Sequence, residues 1–225
     1  MTTTNLIVGM RRGFLFLLCG SVVFIAGCSD RRSEQMRAEG DTRRDLNQFE
    51  LARVAYEQSI EANPENPRAK LGLALCDVAS NQTDEALSLF DEVIALDPTI
   101  EEAYVEAAQS LLKAKRLEEA LAMSERYAGQ FSEKGGIMKG VILSKMGRAD
   151  DAISTLKSLL ETHANSEEIR LSLGAAYLEG GQIDAAEKLF HELTEGSTNV
   201  ASAARMGLID IYRAQGKLEE LVAEF

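Results

Sequence analysis

The sequence predicts an all-α protein built from helical hairpins that repeat along the chain. Three observations carry that prediction. Ala, Leu and Glu dominate the composition and are strong helix formers, while aromatic residues make up only 6% of it. No segment alternates apolar and polar residues with the period of two that a half-buried strand requires. Third, alanines recur at Ala52, Ala86, Ala120, Ala152 and Ala186, spaced 34, 34, 32 and 34 residues apart.

Other residue types keep step with those alanines. Four residues beyond them stand Tyr56, Phe90, Ser124, Leu156 and Phe190, and three before them Phe49, Thr83, Leu117, Ala149 and Ile183. Five before them stand Asn47, Asn81, Lys115, Gly147 and Gly181, mostly the types that tolerate a positive φ at a helix end. Pro64 and Pro98 follow the first two alanines by twelve residues, where a helix must stop. One copy reads Arg170, Leu173-Gly174, Tyr177, Gly181, Ile183, Ala186, Phe190. This order at this period resembles the tetratricopeptide repeat, lacking only its leading Trp and final Pro. The resemblance implies a right-handed superhelical solenoid of about six helix-turn-helix units.

At the N-terminus, Arg11 and Arg12 precede an uncharged, mostly apolar run from Gly13 to Gly27, the pattern of a secretory signal peptide over residues 1–27. The run is shorter than the ~20 apolar residues that span a bilayer. Met10 offers a second possible start, directly before the arginines. The run closes on Ile25-Ala26-Gly27-Cys28, which resembles the bacterial lipobox. That resemblance implies diacylglycerol transfer to the Cys28 thiol, cleavage before it and acylation of the new amino group; several acyl chains anchor stably. Residues 28–32 then form the acylated N-terminus and a short tether. Ser29, rather than Asp, is similar to an outer-membrane address in enterobacteria-like sorting, so the expected location is the periplasmic face of the outer membrane.

The array follows as units 33–66, 67–100, 101–132, 133–166, 167–201 and an incomplete 202–225. Small residues at Ala74, Ala108, Gly140 and Gly174 let the two helices of a unit approach closely. Asp84, Glu85, Glu118, Glu119 and Asp184 place acids in the first turns of second helices, where the helix dipole favours them. The third unit departs twice: Ser124 stands where a large residue packs, and the junction after it is two residues short. In the sixth, Leu208, Tyr212 and Gly216 keep register, Leu221 replaces the alanine, and the sequence stops at Phe225. Repeat stacks normally close on a polar capping helix. The sequence is then either part of a longer array, the reading favoured, or its last helix is covered by a partner.

Charge and motif content exclude several functions. The formal net charge is −12, and the two leader arginines leave −14 for the remainder, which repels phosphate backbones. Nucleic acid is not an expected partner. Cys76 is the single cysteine after Cys28 and reads as a small buried hydrophobe. The two histidines, His163 and His191, read as surface residues, and His191 with Glu187 supplies too few ligands for zinc. No nucleophile elbow, phosphate loop or metalloprotease motif occurs, so no catalytic residue, cofactor, metal or small-molecule substrate is expected.

In the family the first helix of each unit lines a concave groove. Its lining positions fall here on Leu71, Leu75 and Val78, on Val105, Gln109 and Leu112, on Ile137, Met138 and Val141, and on Leu171, Ala175 and Leu178. This apolar face suits an amphipathic segment in the helix-in-groove mode. The same residues read equally well as helix packing, because a one-residue register error exchanges core for groove. The cationic clamp that some members use for a C-terminal carboxylate is replaced by Arg37, Asp41, Gly72, Glu102 and Glu106. The layout is similar to the pilotin lipoproteins that help outer-membrane secretin rings assemble. It also fits the N-terminal part of a long repeat lipoprotein from an exopolysaccharide or exported-protein sorting system, or a regulator of cell-wall enzymes. All three make the chain a membrane-anchored scaffold that binds other envelope proteins.

Overall fold

The computed structural model describes residues 29–196 and 198–217, and these contain helices and turns but no strand. The leader, Cys28 and the last eight residues, where the sequence predicts the second helix of the sixth hairpin, lie outside them. The first helix, α1, covers 29–45. Then come α2 (Phe49–Ala62), α3 (Pro67–Ala79), α4 (Thr83–Leu96), α5 (Glu101–Lys113) and α6 (Leu117–Gln130). They are followed by α7 (Ser132–Lys145), α8 (Ala149–Thr162), α9 (Glu167–Glu179), α10 (Ile183–Leu193) and α11 (Thr198–Gln215). Odd-numbered helices are the first, or A, helices of the hairpins and even-numbered ones the second, or B, helices.

The turn inside each hairpin is set by a left-handed residue where the repeat places one. Asn47, Asn81 and Lys115 have φ of 57°, 58° and 59°, and Gly147, Gly181 and Gly216 lie between 70° and 75°. The reversed chain then bonds back: Gln48 donates to Arg43, Gln82 to Asp77, Arg116 to Leu111, Arg148 to Leu143 and Gln182 to Tyr177, all at 2.8–2.9 Å. Helices α2 and α4 stop two residues short of Pro64 and Pro98. Asn66 caps α3 by accepting from the Ala69 N–H, and Pro67 occupies the first helical position, where its missing N–H costs nothing.

The described residues form two compact units, divided between Asp97 and Pro98. In the first, Tyr56 of α2 is fully buried between α1 and α3. A Cβ at Gly40 would lie 2.6 Å from its ring and one at Gly72 2.3 Å from it, so both neighbouring helices need glycine there. The Tyr56 hydroxyl donates to Asp41 at 2.7 Å. Ser33, Ser59 and Asn66, all buried, close the other end. The Ser33 hydroxyl donates to the Ser59 carbonyl at 2.9 Å, the Ser59 hydroxyl to the Ser33 carbonyl at 2.7 Å, and the Asn66 amide to Ser33 Oγ at 3.0 Å. A buried polar cluster is tolerable only when every member is paired, as here.

In the second unit Phe190 repeats the role of Tyr56, lying between Gly174 on α9 and Gly207 on α11. Leu156 packs on Gly140, and Leu143, Ala152, Ile153, Ile169, Leu173 and Ala176 complete that layer. At the third hairpin the large residue missing at Ser124 is supplied three positions later. Tyr127 is 2% exposed and stacks on Tyr104 at 5.7 Å between centroids, with Phe131 at 5.5 Å. Ser124 turns its hydroxyl onto the Leu121 carbonyl at 2.7 Å. The shortened junction leaves Phe131 as the sole residue between α6 and α7. The two helices therefore approach so closely that a Cβ at Gly135 would lie 2.2 Å from the Ala128 nitrogen.

Candidate functional site

The A-helix positions that line the groove in the family divide into packed and accessible residues. Leu71 is buried at 5% exposure, so it belongs to the packing and offers no ligand surface. Leu75 and Val78 on the same helix are half-buried. On α5, Val105 and Leu112 are half-buried and Gln109 is exposed. On α7, Ile137 and Met138 are half-buried, while Val141 is 39% exposed. On α9, Leu171 and Leu178 are half-buried and Ala175 is exposed. Ile137 leans on the core layer beneath α7 and α9, and Leu171 and Leu178 on the layer built around Phe190. Each of these three therefore has one face in the core and another at the surface.

Within the second unit α7 packs on α9 and α9 on α11, so their outer faces are neighbours. The start of α5 is tied to the start of α7 by Lys134, whose Nζ lies 2.8 Å and 3.0 Å from the two Glu101 carboxylate oxygens. The Lys134 ammonium, and then the Tyr127 hydroxyl that also donates to it, hold the Glu101 carboxyl below the usual carboxylate range. Glu106, one turn along α5 from Glu102, moves the other way: burial, and then the like charge of Glu102, push its pKa up. Sequence reasoning placed both residues as substitutes for the absent clamp. It did not foresee that one of them is partly withdrawn from water.

Arg37, the one cation at a clamp position, is engaged by Glu34 at 2.9 Å and by Asp41. Gly72 meets the Tyr56 ring. Neither is available to a carboxylate ligand. Cys76 is fully buried against Ala52 and Tyr56, and burial pushes its thiol up to about 11, which leaves it protonated and unreactive. Beside it the buried Asp77 lies 2.5 Å from Arg53, which also donates to Gln82 at 2.8 Å. Burial raises the Asp77 pKa and the Arg53 guanidinium opposes that rise. The sequence carried no signal for this pair, whose members are 24 positions apart and join α2 to α3.

One constellation resembles a hydrolytic triad in outline. His163 Nε2 lies 3.4 Å from Ser132 Oγ, and Nδ1 3.9 Å from a Glu133 oxygen. The second distance exceeds a hydrogen bond, and Ser132 is exposed to solvent, so nothing there excludes water or fixes the imidazole. His191 pairs with the Tyr212 hydroxyl at 2.7 Å, a contact between α10 and α11. Among the described residues no group of three or more His, Cys, Asp or Glu side chains could hold a metal ion, and no helix is long and apolar enough to cross a membrane.

Known proteins agree with this architecture. A tetratricopeptide repeat family model matches residues 77–132 and 143–200, and a second model of the same description matches 37–99. No curated protein matches the chain in sequence. Among solved structures, a tetratricopeptide repeat protein from Parabacteroides merdae is similar at 17% identity, TM-score 0.70, over 86% of this chain and 77% of that one. Pseudomonas aeruginosa pilF is similar at 14% identity, TM-score 0.63, over 87% and 90%. YrrB, described as a repeat protein with an unusual peptide-binding site, is similar at 16% identity, TM-score 0.54, over 76% and 90%. At these identities the likeness is one of fold. The left-handed turns at a 34-residue period, the glycine-flanked aromatic residues and the matched stretches together make the chain a member of the tetratricopeptide repeat family.

Proposed function

We propose that the protein is a lipid-anchored scaffold of the bacterial envelope, joined to the membrane through Cys28 and binding segments of other envelope proteins on its A-helix faces. The observation that carries the binding half is an A-helix surface with partly exposed apolar side chains. Membership of a repeat family that serves protein–protein interaction supports it, as does a structural neighbour described by its peptide-binding site. The anchoring half rests on the sequence Ile25-Ala26-Gly27-Cys28 after Arg11-Arg12 and an uncharged run. The location follows from the anchor, and Ser29 favours the periplasmic face of the outer membrane. The role that fits is assembly of a secretion, pilus or other envelope complex.

Radiolabelled palmitate added to cells expressing the full chain should label it, and Cys28→Ser should abolish that label and release the protein from the membrane fraction. An unlabelled wild-type chain in the soluble fraction would remove the anchor. Crosslinking with mass spectrometry in the native host tests the other half. Envelope proteins should be recovered through residues of the odd-numbered helices, and recovery only through even-numbered helices would contradict the proposed surface.

A further inference from the structure

The accessible A-helix face of the second unit has a charge of its own, and that charge specifies the occupant. Glu102 and Glu106 stand one helical turn apart on α5, and among the described residues no cation pairs with either. Their neighbours in charge are already used: Lys134 by Glu101, and Lys139 by Glu125 at 2.8 Å. The apolar surface of this unit lies on α7 and α9, with Val141 39% exposed and Ile137, Met138 and Leu171 half-buried, and the start of α7 is joined to that of α5 through Lys134 and Glu101. A half-buried carboxylate with a like charge one turn away is a poor resting arrangement, and burial already pushes the Glu106 pKa up. A positive group arriving from outside would relieve it, and in a desolvated place that gain is greatest. An acidic or neutral segment would gain nothing there, and the former would be repelled.

We propose, building on the scaffold reading, that this face takes a cationic amphipathic segment: apolar side chains on Ile137, Met138, Val141 and Leu171, and a Lys or Arg on the Glu102–Glu106 pair. The occupant is an extended or helical stretch of another protein whose apolar stripe is bordered by positive residues. The apolar contact supplies affinity and the carboxylates choose the sign of the partner. Binding should weaken with added salt, since the pair lies near the surface.

The test uses the full mature chain and two synthetic helical peptides about five turns long. One has leucines on one face and lysines on the other, and the second has glutamates in place of the lysines. Fluorescence anisotropy should show the lysine peptide binding and the glutamate peptide not. The double change Glu102→Gln with Glu106→Gln should weaken the lysine peptide about tenfold or more, whereas Glu161→Gln with Glu192→Gln, the same charge removed from B helices, should change it less than about twofold. Val141→Glu should reduce binding of the lysine peptide without loss of helical circular dichroism. If both peptides bind equally, the charge selection is wrong while the groove survives. If neither binds, the groove reading fails with it. If the two double variants weaken the lysine peptide alike, attraction is only to the overall negative charge and this site is overturned.

Discussion

Lys115 shows what a single residue contributes here. It holds φ +59° at a turn where the neighbouring repeats use Asn or Gly, and a side chain with a Cβ is disfavoured in that region by about 1 kcal/mol or more. Lys115→Gly should therefore stabilise the protein by about 0.5–1 kcal/mol in urea unfolding, after allowing for the extra freedom glycine brings to the unfolded chain. The glycines of the α6–α7 region separate in the same way. A methyl at Gly135 would meet backbone, which cannot rotate away, so Gly135→Ala should cost at least about 3 kcal/mol. Gly129 has open space around it, and Gly129→Ala should add about 0.5–1 kcal/mol by helix propensity alone. Matched thermal melts of the two variants check this contrast.

Asp77 adds a pH dependence whose sign follows from its surroundings. Its folded pKa is raised, so the folded state keeps the proton to a higher pH than the unfolded chain does, and stability falls as pH rises through the ordinary value of 3.8 towards the folded one. Above that range the buried carboxylate depends on Arg53. Arg53→Met should thus cost about 1–3 kcal/mol at neutral pH and much less at about pH 3, where Asp77 is protonated in both states. An equal loss at both pH values would mean that Arg53 matters only for its aliphatic packing.

At the scale of elements, the third hairpin shows how a repeat absorbs a broken rule. With Ser at the large position, the volume is restored by Tyr127, and the ring contacts with Tyr104 and Phe131 join α5, α6 and the one-residue link to α7. Tyr127→Ala should cost about 3–5 kcal/mol, on a par with losing a buried aromatic at a regular position. Leu173→Ala in the next layer should cost about 2–5 kcal/mol as a cavity, and peptide binding should be unchanged in the fraction that remains folded. The 32-residue spacing and the unusual Ser124 were both visible in the sequence. The compensation was not: Tyr127 shares its register with Ser59, Val93, Leu159 and Leu193, and only the packed structure shows its ring stacked on Tyr104 beside Phe131.

At the scale of the whole molecule, the hairpins within each unit bury their apolar stripes against their neighbours, so stability is distributed along the repeats. The proposed function lies in what the A helices leave uncovered. The positions carried over from the family lie on the A helices, and their exposure is uneven. Leu75, Val78, Val105, Ile137, Met138, Leu171 and Leu178 keep part of their surface in solvent, and Val141 most of all, but Leu71 does not. The helical position was readable from the period, whereas exposure depends on how far the next helix stands away. Unforeseen apolar exposure also appears on the first hairpin, at Leu46, Leu51 and Val54, and at Met206 on α11.

The sequence by itself determined the fold class and the left-handed turns, since these follow from local propensities repeated at a nearly constant period. Cys28 and the leader are likewise local signals, and the anchor they propose is tested by labelling. Only the tertiary structure decided that Glu106 is half-withdrawn from water, that Asp77 faces Arg53 across two helices, and that Gly135 lets α7 touch the α6 backbone. Each depends on how one helix packs on another. Such contacts are set when apolar stripes pack, after the local signals have done their part.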